Sequence, residues 1–205
     1  MILDVGAHVG YFSILAADAN PNCKAYGFEP VPETFDILCS NIAAAGFQHQ
    51  ITAHRLALGE RDSHEMLLRR GSSGSTLAKD FLEDSSQLER IQVQMVRLDS
   101  WSKAQDVRFT NQSVVKQDIE TFEPQALRGA EQVLMVAPAL LCEVLGTFTE
   151  ELLERVLPKE RWRYFWIGPE GISERRRISG DPAWKFNNYL FLTHDSPYLL
   201  LIGAR

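Results

Sequence analysis

The chain has 205 residues, 45% apolar, 10% aromatic and 23% charged, a globular composition far from the signature of disorder and enough for one domain. Its 21 basic and 27 acidic residues leave a formal charge of −6, so no global field draws it to nucleic acid or anionic lipid. Three scattered cysteines, no apolar run of membrane-span length and no signal-peptide pattern exclude a cystine scaffold, a zinc site and a membrane protein, and point to the cytoplasm.

Residues 1 to 5 are apolar and β-prone, and read as a buried parallel strand. A turn punctuated by Gly6 and Gly10 follows. Residues 11 to 20 predict a helix, stopped by Asn20, Pro21 and Asn22. Residues 24 to 29 predict a second strand ending at Glu29. Pro32 opens a second helix, in which Phe35, Leu38 and Ile42 recur at helical spacing before Gly46 ends it. Residues 51 to 58 predict a third strand.

Residues 65 to 69 and 91 to 97 predict two strands that pair as a hairpin. Between them lie a glycine- and serine-rich loop, residues 71 to 76, and a polar acidic stretch. Asp99 is placed to cap a short helix. Strands are expected at 114 to 118 and 139 to 144, and helices at 124 to 136 and 149 to 157. Late strands are expected at 163 to 167 and 188 to 193, joined by a long loop carrying Arg175, Arg176 and Arg177. The alternation implies a single α/β domain over residues 1 to 205. About seven strands are expected, mostly parallel with one late antiparallel strand, and helices on both faces.

In an open α/β sheet, ligands bind at the carboxyl ends of strands where strand order reverses. The first turn and the end of the second strand are therefore the places to search. Asp4, Gly6, His8, Gly10 and Glu29 stand there. Gly6 and Gly10 permit close backbone approach, and the following helix points N–H groups at the same space. The Glu29 carboxylate suits a ribose diol. A nicotinamide dinucleotide and S-adenosylmethionine both fit this outline. The dinucleotide turn needs a middle glycine for its pyrophosphate, and here that position is His8. Asp4 adds negative charge, poor for a pyrophosphate and good for the α-ammonium of a methionine, so the residues favour S-adenosylmethionine.

The run from Asp4 to Ser13 (DVGAHVGYFS), Phe28-Glu29-Pro30, and Ala57-Leu58-Gly59 resemble segments of the FkbM family of S-adenosylmethionine-dependent methyltransferases. So do residues 116 to 123 (KQDIETFE), 126 to 131 (ALRGAE) and Cys142-Glu143. The resemblance covers about residues 1 to 145. It implies a Rossmann-like class I methyltransferase sheet and O-methylation of a small-molecule or glycan hydroxyl, as in a sugar, glycolipid or polyketide.

The resemblance also implies site roles. Asp4, Gly6, Ala7, His8 and Gly10 would cradle the methionine end of the cofactor. Glu29, with Pro30 beside it, would hold the ribose, and Ala57 and Leu58 would flank the adenine. Asp118 and Glu120 would touch cofactor or acceptor and take the acceptor proton. Glu123 caps a helix or joins that cluster, and Lys116 reads as a structural ion pair. Gly129 marks close helix–sheet packing. Glu143 either lines the acceptor pocket or forms a buried ion pair. No metal, nucleic-acid partner or membrane span is expected.

Three departures stand out, the first being His8 where the family commonly has asparagine. Thr121 occupies a usual glycine position and resists a left-handed backbone, so an altered loop after Glu120 is expected. Gln117 replaces an aliphatic residue. The chain also opens on the first strand, so the segment that covers the pocket in relatives is expected to be absent. A non-catalytic binding or scaffold module and an NAD-dependent dehydrogenase or epimerase are the alternative readings.

Overall fold

The structure, a computed structural model, describes residues 1–70, 74–78, 88–146 and 149–204. Strand β1 (Ile2–Val5) leads through the glycine turn to α1 (Tyr11–Ala19). β2 (Ala25–Phe28), α2 (Pro32–Ala45) and β3 (Ile51–His54) follow. The chain then leaves the main sheet for β4 (Ala57–Leu58), β5 (Ser63–Arg70), β6 (Gly74–Thr76) and β7 (Glu89–Val96). It returns through α3 (Leu98–Ala104) to β8 (Val114–Gln117), α4 (Glu123–Arg128), α5 (Glu131–Met135) and β9 (Ala139–Glu143). α6 (Glu150–Val156), β10 (Trp162–Gly168), β11 (Gly171–Arg175) and β12 (Asn188–Thr193) complete the fold.

The main sheet has eight strands in the order β11-β10-β12-β9-β8-β1-β2-β3. The five strands from β9 to β3 run parallel. β12 is antiparallel to β9 and β10, and β11 is antiparallel to β10. Two late strands therefore run against the rest, where the sequence suggests one. The extra strand, β11, forms from the first half of the expected basic loop. Strand order reverses between β1 and β8, which makes that crevice the natural ligand site.

Other differences have local causes. The expected strand at 51 to 58 breaks after His54, and Ala57 and Leu58 pair with Met95 and Val96 of β7 instead. The expected hairpin is present as β5 against β7. Of the Gly71–Thr76 loop, residues 71–73 lie outside the described residues, as do residues 79–87 of the acidic stretch, while Gly74–Thr76 forms β6 on the edge of the small sheet. The expected helix at 124 to 136 is two short helices divided at Gly129. Asp99 caps a different helix from the one that contains it. Its carboxylate accepts the Gln132 and Val133 N–H groups of α5 at 3.1 to 3.2 Å.

Side-chain alternation along β1 divides the interior. Leu3 and Val5 join Phe28, Trp101, Leu127, Leu140 and Phe191 in one core. Ile2 turns to the opposite face, where Ala17, Ala25, Leu38 and Ile42 pack beneath α1 and α2. A third cluster, Val31, Ala57, Leu67, Val93 and Met95, fixes the small sheet over the tip of β2. Each fully buried large aliphatic side chain contributes about 1.5–3 kcal/mol. Pro32 starts α2 and left-handed Gly46 stops it, donating to the Ala43 carbonyl at 3.1 Å. Among the described residues, no helix is long and apolar enough to cross a membrane.

Gly129 is where α4 meets the small sheet. A Cβ there would overlap the backbone carbonyl of Gly59, which cannot rotate away. Gly129→Ala is expected to lower unfolding free energy by about 1–3 kcal/mol. A denaturant titration checks this, and wild-type stability would remove the tight seam from the account.

Candidate functional site

The first turn is held from beneath. Gly6 and Ala7 both donate N–H to the Phe28 carbonyl, at 3.0 and 2.9 Å. Gly6 sits at φ 74°, and a Cβ there would overlap the Asp118 carbonyl. Glycine is what allows the tips of β1 and β8 to approach. Gly10 sits at φ 90°, and its Cβ would come within 2.7 Å of Leu38 Cδ1.

Gly10 has no side chain to cap α1. Asp4 does this from β1: its Oδ2 accepts the Ser13 N–H at 3.1 Å and the Ser13 hydroxyl at 2.7 Å. An anion at the first turn of a helix is favourable. Lys116 Nζ lies 3.2 Å from Asp4 Oδ1 and donates to the Gly6 carbonyl at 2.9 Å. Asp4 is fully buried on the α1 side of the sheet and does not line the ligand cavity, and Gly10 does not line it either.

The cavity itself, about 710 Å³, opens at the β1–β8 switch point, a size suited to a cofactor or drug-sized ligand. Gly6, Ala7 and His8 line one side, and Glu29 and Pro30 line the tip of β2. Ala57, Leu58 and Leu67 provide an apolar wall from the small sheet, and Asp118 and Glu120 face it from the loop after β8. Of the cofactor and catalytic residues expected from sequence, all but Asp4 and Gly10 meet here. Leu141, Ile167 and Asn188 also line the cavity, with Ser75 of β6. The first three escaped the sequence reading because only strand order brings them to the β8 tip.

Glu29 is anchored at both oxygens. Oε2 accepts the His8 N–H and Oε1 the Val31 N–H, each at 3.0 Å. Burial pushes its pKa up, and the two N–H groups pull it partly back. Each oxygen keeps a further lone pair for a ligand hydroxyl. His8 reaches this position at φ 50°.

The loop after β8 concentrates carboxylates. Asp118 lies 3.7 Å from Lys116 Nζ and its side chain is 46% exposed. Burial, then the charge of Asp118, raises the pKa of Glu120. Glu123 is buried beneath the loop, where its Oε1 accepts the Ile119 N–H at 2.8 Å. Burial pushes its pKa up to about 8. Glu143, at the end of β9, is also raised to about 8, by burial first and then by Asp118, Glu120 and Glu123.

Thr121 is left-handed despite its branched side chain. Glu120 and Thr121 stand consecutively in left-handed conformation, φ 55° and 74°. The threonine accepts the geometry that glycine would adopt freely, and its buried hydroxyl has no partner among the described residues. Thr76 Oγ1 of β6 donates to the Glu120 carbonyl at 2.6 Å and helps hold the turn.

Residues 4–164 match the family described as methyltransferase FkbM domain. The chain belongs to the FkbM family. Solved structures share its fold. An FkbM methyltransferase from Methylobacillus flagellatus is 16% identical with a TM-score of 0.59, covering 93% of this chain and 42% of its own length. This chain thus spans less than half of that relative. A putative O-methyltransferase from Klebsiella pneumoniae is 11% identical, TM-score 0.50, covering 94% of this chain and 72% of that one. A protein of the NADB-Rossmann superfamily from Streptococcus agalactiae is 13% identical, TM-score 0.50, covering 94% and 60%. No curated protein matches the chain.

Two predictions follow from the acidic loop of this FkbM chain. Thr121→Gly relieves left-handed strain of about 1–2 kcal/mol and removes a buried unpaired hydroxyl, against about 0.5–1 kcal/mol of added chain entropy. The net gain should raise the melting temperature by about 2–4 °C, and a lowered value would refute the strain. Glu123 holds a proton in the folded state up to about pH 8, whereas the unfolded chain releases it near its ordinary value. Stability therefore falls as pH rises through that window. Glu123→Gln cannot ionise and can still accept the Ile119 N–H. Its advantage in melting temperature over wild type should grow from acid to mildly alkaline pH, and a constant difference would contradict the buried protonated state.

Proposed function

We propose that this chain is an S-adenosylmethionine-dependent methyltransferase acting on a hydroxyl of a small molecule or glycan, such as a sugar, glycolipid or polyketide. One observation carries the reading: Glu29, fastened by His8 and Val31, presents its carboxylate to the switch-point cavity. Facing it is a turn whose middle position is His8, where a pyrophosphate would need glycine.

The residues fit the cofactor. Ala57, Leu58 and Leu67 offer an apolar slot for adenine. Glu29, beside Pro30, has lone pairs left for both ribose hydroxyls. The backbone of Gly6, Ala7 and His8 suits the methionine end. Asp118 takes the ammonium-binding role that sequence assigned to Asp4, because its side chain reaches the cavity. Three free cysteines suit a reducing, cytoplasmic setting.

When bound, S-adenosylmethionine supplies an electrophilic methyl group on a cationic sulfur. The task of the chain is alignment. The acceptor oxygen would gain the methyl as the sulfur–carbon bond breaks to leave the neutral thioether, and the acceptor proton would pass to a carboxylate. Glu120, with Asp118 beside it, is assigned that role. The raised pKa of Glu120 brings it closer to a working pH, which favours proton transfer. The apolar wall excludes water and strengthens these interactions.

Calorimetry with S-adenosylmethionine, S-adenosylhomocysteine and NAD tests the assignment. Both adenosyl compounds should bind, and Glu29→Ala should weaken them by about 1.5–3 kcal/mol. Binding of NAD alone would turn the reading to a dehydrogenase or epimerase. No binding of any would favour a scaffold module, and unchanged affinity in the variant would remove Glu29 from the site.

A further inference from the structure

The cavity continues past Asp118 to the tips of β9, β10 and β12, on the far side from Glu29. Leu141, Glu143, Ile167 and Asn188 line this end. Leu141 and Glu143 alternate on one face of β9, and Asn188 stands opposite Glu143 in the β9–β12 ladder. An apolar floor thus carries one carboxyl and one amide side by side.

Charge in the cavity is unbalanced. Its described wall carries Glu29, Asp118, Glu120 and Glu143, with Lys116 the one lysine or arginine among them. Lys116 is committed to the turn through Asp4, the Gly6 carbonyl and Asp118. Glu143 instead faces further acids: burial and then the charges of Asp118, Glu120 and Glu123 push its pKa up. An anionic acceptor would face like charge here, and a neutral one would leave the excess uncompensated. Among the described residues, no group of three His, Cys, Asp or Glu is arranged to hold a metal ion.

We propose that this end of the cavity is the acceptor subsite and that it takes a hydroxyl compound bearing a protonated amine, with Glu143 holding the ammonium and Asn188 a neighbouring hydroxyl. The inference rests on the methyltransferase reading and names its substrate class. The raised pKa of Glu143 agrees with a carboxyl whose natural counter-charge comes with the ligand.

Protein saturated with S-adenosylhomocysteine is titrated calorimetrically with glucosamine, glucose and glucose 6-phosphate at neutral pH, and separately with magnesium. Glucosamine should bind at least about tenfold more tightly than glucose, the scale of a hydrogen bond to a charged group, and glucose 6-phosphate should bind more weakly than either. E143Q should erase the preference for the amine while S-adenosylhomocysteine still binds. N188A, at the exposed start of β12, should weaken glucosamine and glucose alike. Equal affinities for the three probes, no binding of any, preference for the phosphate, or an amine preference that survives E143Q would each overturn the proposal. So would magnesium binding that E143Q abolishes in the absence of an amine preference. The same titrations without S-adenosylhomocysteine separate the two readings. Failure of the homocysteine compound to bind counts against the cofactor, whereas loss of the amine preference counts only against the subsite.

Discussion

The ammonium of Lys116 joins the two halves of the sheet where strand order reverses. It lies 3.2 Å from Asp4 on β1, 3.7 Å from Asp118 after β8, and donates to the Gly6 carbonyl of the turn between β1 and α1. Asp4 in turn holds the first turn of α1 through Ser13. One cation and one buried anion thereby set strand tip, glycine turn and helix start relative to one another. The charges are taken from water, and their mutual contacts with the helix N–H offset that cost. The cavity wall is built on this knot, with Gly6 providing the room for it.

The acidic loop is the second constraint. Five acidic groups, Asp118, Glu120, Glu123, Glu143 and Glu29, surround or underlie one cavity. Burial keeps Glu123 and Glu143 inclined to hold protons. Two consecutive left-handed residues, Glu120 and Thr121, shape the same loop. Backbone strain of this kind persists where the surroundings overdetermine it and gathers at functional sites. Here Thr76 grips the turn from the small sheet and Glu123 grips it from α4. The small sheet therefore both walls the cavity and clamps the loop that bears the carboxylates.

Much of this was legible in the residues themselves. The β-α-β-α-β start follows from local apolar period, Pro32 and Gly46, because those signals act within a few residues. The glycine turn and Glu29 mark one wall of the cavity, because turn chemistry and strand ends are local features. Asp4 shows the limit. Its charge and position beside the turn suggested contact with a ligand, yet strand alternation points it to α1. Thr121 shows another, since a residue ill suited to left-handed geometry adopts it when β6 and α4 hold the turn.

The sequence by itself determined the fold class, the FkbM likeness and the β1–β2 wall of the cavity, since each depends on neighbours in the chain. Tertiary structure alone decided that Ala57 and Leu58 join a second sheet, that β11 adds an edge, and that β12 sets Asn188 beside Glu143. The physical reason is distance along the chain. Strand order and helix facing are settled by which apolar surfaces bury one another, and no local pattern records that choice.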